Sequence, residues 1–295
     1  MRIAFIMLCH KDPEQVNMLV RKLSEFREAD VYIHVDGNHA QVREGIELRD
    51  NVYLIPLERS CYIQWGSVDI VKATLQLIRQ VKASGKNYDY IWLVSGQDYP
   101  ICPVGEIEKR LAAQPGMNYI ETIVPGQERY DWYRKLYEMA YPSWINKNSV
   151  PIKVIKRLYI AVTGGHRHTF KPFIRRKPFD FDFYFGSQWW TLTAEAAYEI
   201  LAYADAHPEV LTYYEKCIIP DECFFQTLFM RGPYRDQRSM NLTYINWGKN
   251  RRSPETLTLS DLEKLRKEAK NFCFARKFER GESGALIEKL QEEQE

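Results

Sequence analysis

Three short segments supply the residue types that group-transfer chemistry needs. A Pro-Asp-Glu tripeptide at 220–222 offers carboxylates, an Arg-Lys pair at 276–277 offers positive charge, and His10 follows an apolar run at the start of the chain. A positioned carboxylate can accept the proton of a hydroxyl, and fixed cations can stabilise the charge that develops on a departing diphosphate. The sequence therefore predicts the transfer of a group, such as a sugar, away from a nucleotide diphosphate.

Glu222 is the strongest candidate for the base. Proline at position 220 favours the first turn of a helix, where backbone amides hold an anion in place. A helix cap followed by a first-turn glutamate has the same spacing, so a structural role stays open at this point. In an inverting sugar transfer one carboxylate suffices, because it deprotonates the acceptor while the diphosphate leaves from the opposite face, and such a base contributes roughly 10²- to 10⁴-fold.

Two ways of neutralising the leaving diphosphate are compatible with the sequence. A divalent metal ion on a DxD motif is one of them, and lysine with arginine is the other. The DxD string of Asp180 and Asp182 stands late in the chain, whereas a metal–diphosphate motif is expected after a central strand, where Asp98 stands. We therefore predict that no metal is needed and that the basic pairs at 251–252 and 276–277 take its place. Metal ligation by Asp98 or by the 180–182 pair is the alternative interpretation.

Bulk composition limits the classes of protein. The 295 residues can bury a large core, and an apolar content of 45% excludes disorder. The 41 basic and 39 acidic residues leave a net charge of +2, so no global field indicates nucleic acid as a partner. The six cysteines show neither CxxC pairs nor framework spacing. We predict free buried thiols, with no bridge between Cys217 and Cys223.

Hydrophobic patterns in the first part of the chain predict an α/β fold. Buried strands are predicted at 2–8, 31–35, 52–55 and 90–94, with helices from residue 13, over about 67–83 and over 104–113. Strands that alternate with helices form a mostly parallel central sheet with helices on both faces. Ligands of such sheets bind beyond the carboxyl ends of the strands.

The later pattern is less regular. We predict a strand at 118–123, helical stretches to roughly 160, an aromatic strand-like segment at 179–190, and helices capped by Thr193 and Asp221. No linker interrupts the pattern, so the prediction is a single domain over 1–295. About 1–120 is its nucleotide-binding half and about 121–295 its acceptor-binding and catalytic half.

The span from Lys147 to Lys177 contains nine Lys or Arg residues and no acidic residue. Such a run is compatible with a solvated face, with contact to an anionic membrane, or with an anionic glycan acceptor. The N-terminal apolar run is too short for a signal peptide or a membrane span. We therefore expect a cytoplasmic protein, and we consider peripheral contact with the inner face of the membrane through residues 147–177.

Several motifs, in a fixed order, resemble those of a known family. They are LCHKDPEQ, YIHVD, WGS, YIWLVSGQDYPI, NYIET, FGSQWWTLT, PDE and FARKFE. The chain resembles the core-2/I-branching enzymes, which include β-1,6-N-acetylglucosaminyltransferases and peptide O-xylosyltransferases. The resemblance covers most of the chain. It implies a GT-A-like nucleotide-diphospho-sugar transferase fold and an inverting, metal-independent reaction that uses a UDP-sugar.

The resemblance also implies roles for donor-side residues. Glu222 matches the catalytic base of the family, and Lys277 matches a lysine that contacts the donor diphosphate. A diphosphate-binding arginine is expected at Arg252 or at its neighbour Arg251. The family's uridine pocket is matched by three residues: Leu8, His10 and Asp36.

On the acceptor side, Glu121, Arg129 and Trp247 match positions that contact the acceptor.

Ser187 and Trp189 belong to the FGSQWW string, which we expect to line the donor-sugar pocket, and Asp98 is expected to contact substrate. Because alternate strand residues face opposite ways, we expect Trp189 to be exposed and Trp190 to be buried.

These observations predict an inverting glycosyltransferase that moves a sugar, N-acetylglucosamine or xylose, from a UDP-sugar to a glycan or glycolipid acceptor in surface polysaccharide synthesis. Two alternatives are a non-catalytic UDP-sugar- or glycan-binding module and a metal-dependent GT-A transferase. The family's disulfide-forming cysteines and membrane anchor are not evident, and the segment between Glu121 and Arg129 is shorter than in the branching enzymes. The acceptor is therefore left open.

Overall fold

The computed structural model describes residues 1–138, 150–162, 175, 177–248 and 253–294. Four parallel strands form the first part of a central sheet. They are β1 (Ile3–Cys9), β2 (Ala29–Val35), β3 (Val52–Leu54) and β4 (Tyr90–Ser95). All seven residues of β1 are buried, as expected for a central parallel strand covered on both faces.

Three more strands extend this sheet. They are β6 (Asn118–Tyr119), β7 (Thr191–Thr193) and β8 (Arg238–Ser239), and the complete order is β3-β2-β1-β4-β7-β6-β8. Strand β7 runs antiparallel to both of its neighbours. A second sheet has the order β5-β10-β9 and consists of β5 (Asp98–Pro100), β9 (Thr243–Ile245) and β10 (Phe274–Arg276).

Ten helices surround the sheets in the described part of the chain. They are α1 (Pro13–Leu23), α2 (Asp69–Ala83), α3 (Val104–Ala113), α4 (Tyr130–Glu138), α5 (Val150–Val162), α6 (Ala194–Ala206), α7 (Pro208–Tyr214), α8 (Phe224–Arg231), α9 (Leu262–Glu268) and α10 (Arg280–Gln294). Shorter 3₁₀ segments cover Gly37–Gly45, Leu57–Arg59, Pro220–Glu222 and Leu259–Asp261. No described helix combines the length and the apolar character needed to cross a membrane.

The sheet has a hydrophobic core on each face because side chains alternate along its strands. From β1, Ala4, Ile6 and Leu8 enter a core shared with α2, α6 and α8. The residues between them enter the opposite core, which is shared with α1, α3, α9 and α10. The predicted α/β class, with a mostly parallel sheet between helices, is confirmed.

Two local predictions were wrong. The aromatic segment at 179–190 is not a strand: it forms only an isolated bridge between Phe185 and Ile123 before β7 begins. Its aromatic rings stack on one another, with 4.5 Å between the ring centroids of Phe179 and Phe181. Asp221 does not cap a helix, because it lies within the Pro220–Glu222 turn and α8 begins later, at Phe224.

All six cysteines are free, and all are buried except the half-buried Cys61. Most of the basic span at 147–177 and both Arg251 and Arg252 lie outside the described residues. The predictions made for these two arginines therefore remain predictions.

Candidate active site

Asp36 occupies the edge of the sheet where β1 and β2 end. Its amide donates a hydrogen bond of 2.9 Å to the carbonyl of Cys9. Its carboxylate accepts hydrogen bonds from the amides of Asn38 and Ile63, both at 3.0 Å. Burial raises the pKa of Asp36, but these bonds and one from His39 outweigh burial and place the pKa below its ordinary value. Asp36 is thus a fixed, ionised hydrogen-bond acceptor at the carboxyl ends of β1 and β2.

His10 and Leu8 lie at the same edge. The His10 ring is 5.8 Å from the ring of His39, which itself lies 3.2 Å from the carboxylate of Asp36. Burial, with the nearby Lys11 and His39, lowers the pKa of His10, so its imidazole is neutral at pH 7. Leu8 is buried in β1. The structure therefore brings together the three residues assigned to the uridine pocket.

Glu279 forms ion pairs with two lysines beside this edge of the sheet. The Nζ atom of Lys11 lies 2.7 Å from each carboxylate oxygen, and that of Lys277 lies 3.5 Å from one of them. Gln97 donates to the same oxygen at 2.5 Å. Lys277 follows β10 directly, so the small sheet fixes its backbone there. Lys277, expected to contact the diphosphate, therefore stands beside a second cation that comes from the end of β1.

A buried ion pair holds β10 against β5. Arg276 is the register partner of Asp98, and its Nη1 lies 3.4 Å from the carboxylate. Burial lowers the pKa of Arg276 and raises that of Asp98, and each charge offsets part of this effect on the other. The guanidinium also lies 3.8 Å from the centroid of the Trp189 ring. Separation of a buried charge pair is costly because it leaves each charge buried and unpaired. This contact therefore fixes the backbone that precedes Lys277.

Glu222 ends a tight turn rather than beginning an α-helix. The residue before the turn, Ile219, has a left-handed backbone with φ 51°, a conformation that costs a β-branched residue free energy. The hydroxyl of Tyr137 donates to the Ile219 carbonyl at 2.7 Å, and the Ile219 amide donates to the carbonyl of Gly66 at 2.9 Å. Glu222 therefore lies in the first turn of a helical segment that begins with Pro220, as predicted, but this segment is a short 3₁₀ helix and it is held from two sides.

The backbone around Glu222 is packed against Glu121. The carbonyl of Glu222 accepts the amide of Gly186 at 2.9 Å, and the carboxylate of Glu121 accepts the amide of Ser187 at 2.9 Å. A Cβ atom on Gly186 would overlap the carbonyl of Glu121, so only glycine permits this approach. Gln226 donates to the Ser187 carbonyl at 2.6 Å. The FGSQWW segment therefore joins the two glutamates.

The Glu222 carboxyl has the protonation behaviour of a base that works near neutral pH. Burial, followed by the nearby Asp221 and Glu121, raises its pKa from 4.5 to about 8. Burial also raises the pKa of Asp221, to about 6. Burial and Glu222 raise the pKa of Tyr133, whereas Arg129 lowers it. These interactions place Tyr133 and Arg129 in the electrostatic surroundings of Glu222 and Glu121. The expected base therefore forms one group with two of the expected acceptor-side residues, Glu121 and Arg129.

The expected substrate-binding role of Asp98 is not supported. Its side chain is fully buried and accepts hydrogen bonds from the amide and hydroxyl of Ser95, at 2.8 and 2.9 Å. It therefore supports Arg276 rather than meeting a ligand. The expected exposure of Trp189 was also wrong, because it is 6% exposed and Arg276 covers its ring. Trp190 is buried as expected.

Other predicted residues have varied positions. Trp247 is 49% exposed and forms an antiparallel bridge with Pro254. Asp180 and Asp182 are exposed on the surface, and Lys177 lies 4.0 Å from Asp182. Within the described ranges, no three His, Cys, Asp or Glu side chains converge as metal ligands.

Sequence reasoning assigned no role to Lys11, Glu279 or Tyr133. Lys11 directly follows His10, so the end of β1 was a signal for it, and Glu279 stands two positions after Lys277. Their contact joins positions 268 residues apart, which no local pattern predicts. Tyr133 lies on α4, three positions after that helix begins. Only its burial beside Glu222 indicates a site position.

The chain was compared with known proteins. A family model described as Core-2/I-Branching enzyme matches residues 3–268. Xylosyltransferase sqv-6 of Caenorhabditis elegans is 22% identical over 227 residues, which is 73% of this chain and 25% of that protein. Xylosyltransferase oxt of Drosophila melanogaster is 23% identical across 99% of this chain and 33% of its own length.

This chain thus spans between a quarter and a third of the length of these two relatives. Among solved structures, the apo WbbM bifunctional glycosyltransferase gives a TM-score of 0.38 at 9% identity, with 96% of this chain and 46% of that chain covered. That score is too low to support an inference about this chain.

Proposed function

Because this chain belongs to the Core-2/I-branching enzyme family, we propose that it is an inverting glycosyltransferase that moves a sugar from a UDP-sugar to a hydroxyl of an acceptor glycan. The observation that supports this best is the presence of two distinct charged groups. A half-buried carboxyl with a raised pKa, Glu222, belongs to one group, and the lysine cluster around Glu279 forms the other. A base and a leaving-group stabiliser are the two parts that the reaction requires.

In the proposed step, the ionised carboxylate of Glu222 accepts the proton of the acceptor hydroxyl. The oxygen's electron pair forms the bond to the anomeric carbon as the bond from that carbon to the phosphate oxygen breaks. The second electron pair leaves with UDP, and configuration at the anomeric carbon inverts. Burial of Glu222 keeps its proton affinity close to the working pH, which favours general base catalysis.

Lysines 277 and 11 stabilise the negative charge on the departing UDP. Both ammonium groups already converge on one carboxylate, a geometry that also suits two neighbouring phosphate oxygens. Asp36 seats the nucleoside at the ends of β1 and β2, with the neutral imidazole of His10 beside it. In this proposal the cations replace a metal ion, and Arg251 and Arg252 are further candidates for the same task.

The names of the relatives make xylose the first donor sugar to test. The resemblance to the branching enzymes makes N-acetylglucosamine the second. Glu121 and Arg129 are proposed to contact the acceptor because they share the surroundings of Glu222. The acceptor is proposed to be a glycan or a glycolipid, and the pathway to be surface polysaccharide synthesis.

The test measures UDP release from a panel of UDP-sugars with candidate glycan acceptors, for the wild type and Glu222→Gln. We expect the variant to lose roughly 10²- to 10⁴-fold in turnover while it keeps its affinity for UDP. Normal turnover of the variant would exclude Glu222 as the base. UDP binding without turnover of any donor would instead indicate a binding module.

The same assay in excess EDTA tests the role assigned to the lysines. Undiminished activity is the expected result. Loss of activity that Mn²⁺ restores would favour a metal-dependent transferase and contradict the metal-free proposal.

A further inference from the structure

Helix α5 exposes its apolar face to solvent. The exposed fractions of Val154, Ile155, Leu158 and Val162 are 51%, 58%, 61% and 79%. Residues four positions apart lie on the same side of a helix, so 154, 158 and 162 form one stripe, with 155 beside it. A helix of a globular protein normally turns such a stripe toward the core. The stripe on α5 therefore needs an apolar environment outside this fold.

The charge around this stripe has a single sign. Lys153, Lys156 and Arg157 are the charged residues of α5. A period of 3.6 residues places positions 153 and 156, with Ile160 between them, on the opposite side of the helix from 154, 158 and 162, and it places Arg157 on the flank beside Val154. The surrounding span at 147–177 contains nine basic residues and no acidic one. An exposed apolar stripe on a helix whose charged residues are all basic is the pattern of a helix that lies in a membrane interface.

We propose that α5 docks this protein on an anionic membrane surface. In this arrangement Val154, Ile155, Leu158 and Val162 insert among the lipid chains at the headgroup boundary, and the basic side chains contact lipid phosphates. The inference does not depend on the reaction proposed above, because it rests on the exposure and charge of one helix. A consequence for a transferase would be access to acceptors that are anchored in the membrane.

Charge complementarity distinguishes this occupant from two others. An anionic polysaccharide would satisfy the basic residues but would leave the apolar stripe in water. A second copy of the chain would cover the stripe, yet it would bring two basic spans together, and like charges at an interface are unfavourable. Of these three occupants, the anionic bilayer is the one that matches both features.

The experiment is co-sedimentation of the full chain with vesicles of phosphatidylcholine alone or with about one-third phosphatidylglycerol. We expect binding to the anionic vesicles that weakens at least tenfold in high salt, since polybasic attraction is screened. The double variant Val154→Glu and Leu158→Glu should bind at least tenfold more weakly. The matched control is Leu48→Glu with Leu259→Glu, since these leucines are also exposed, at 70% and 49%, and this control should bind like the wild type.

Circular dichroism checks that each variant is folded, and Arg157→Gln tests the charge alone, with an expected loss of a few fold. Equal vesicle binding by the wild type and the α5 double variant would overturn the proposal. So would absence of wild-type binding to anionic vesicles at low salt. A dimer of the wild type in solution that the double variant dissociates would also overturn it, because the stripe would then cover a second copy.

Discussion

Replacement of Glu222 by glutamine is expected to stabilise the folded protein by an amount that grows with pH. In the unfolded chain this carboxyl has its ordinary pKa of 4.5, whereas burial and the nearby Asp221 and Glu121 raise it to about 8 in the folded protein. Between these two values the unfolded state has released a proton that the folded state retains. The stability of the wild type therefore falls as the pH rises from 4.5 toward 8. Glutamine releases no proton, so the variant avoids this loss.

The size of the effect follows from the two pKa values. One pKa unit corresponds to about 1.4 kcal/mol. At pH 7 the ionisation of Glu222 stabilises the unfolded wild type by about 3 kcal/mol. The folded protein is stabilised by almost nothing in this way, because its Glu222 stays mostly protonated at that pH. Glu222→Gln should thus raise the free energy of unfolding by about 3 kcal/mol at pH 7, by about 5 kcal/mol above pH 8 and by close to zero at pH 4.5.

Urea unfolding followed by circular dichroism at several pH values measures this difference. The m-values should agree between the proteins, so that a shift in midpoint reports stability. The control is Glu288→Gln, because Glu288 is an exposed glutamate on α10 and its replacement should change stability little at any pH. A difference that is the same at pH 5 and pH 8, or a variant less stable than the wild type at pH 8, would refute the reasoning about burial.

Three further predictions concern the site. Lys277→Ala should weaken UDP binding by about ten- to a hundredfold in titration calorimetry, since a hydrogen bond to a charged group contributes about 1.5–3 kcal/mol. A change below twofold would contradict the proposed contact of Lys277 with the diphosphate. Asp98→Asn leaves the buried Arg276 without its counter-charge and should lower the free energy of unfolding by about 3–5 kcal/mol, and a loss well under 1 kcal/mol in urea unfolding would argue against this. The ratio kcat/KM should rise about tenfold per pH unit below the Glu222 pKa of about 8 and level off above it, whereas a flat profile from pH 6 to 9 would assign the base elsewhere.

The central sheet could be predicted because its strands are continuous apolar runs. β1, β2 and β4 are buried on both faces, and this produces the strongest pattern that a strand can show. β8, β9 and β10 have two or three residues each, and their pairing depends on distant partners. The segment 179–190 was predicted wrongly because its aromatic residues have high strand propensity, while in the fold their rings stack and Tyr130 bonds the carbonyl of Phe183 at 3.0 Å.

The site was predictable where a residue follows a strand. Asp36 and His10 lie at strand ends, and the topology of a parallel sheet brings such ends together. The contact between Lys11 and Glu279 and the stacking of Arg276 on Trp189 join residues far apart in the sequence. Burial of Asp98 and Trp189 depends on this packing, so their exposure could not be judged from local alternation.

Glu279 has a consequence for the exchange of ligands at the lysine cluster. It provides an internal counter-ion that offsets the repulsion between Lys11 and Lys277. An entering phosphate must share these lysines with a carboxylate or displace it, and the carboxylate returns when the phosphate departs. If the lysines bind UDP as proposed, Glu279 competes with the spent nucleotide for them. This competition assists the release of UDP from within the protein, at some expense in the affinity with which the donor first binds.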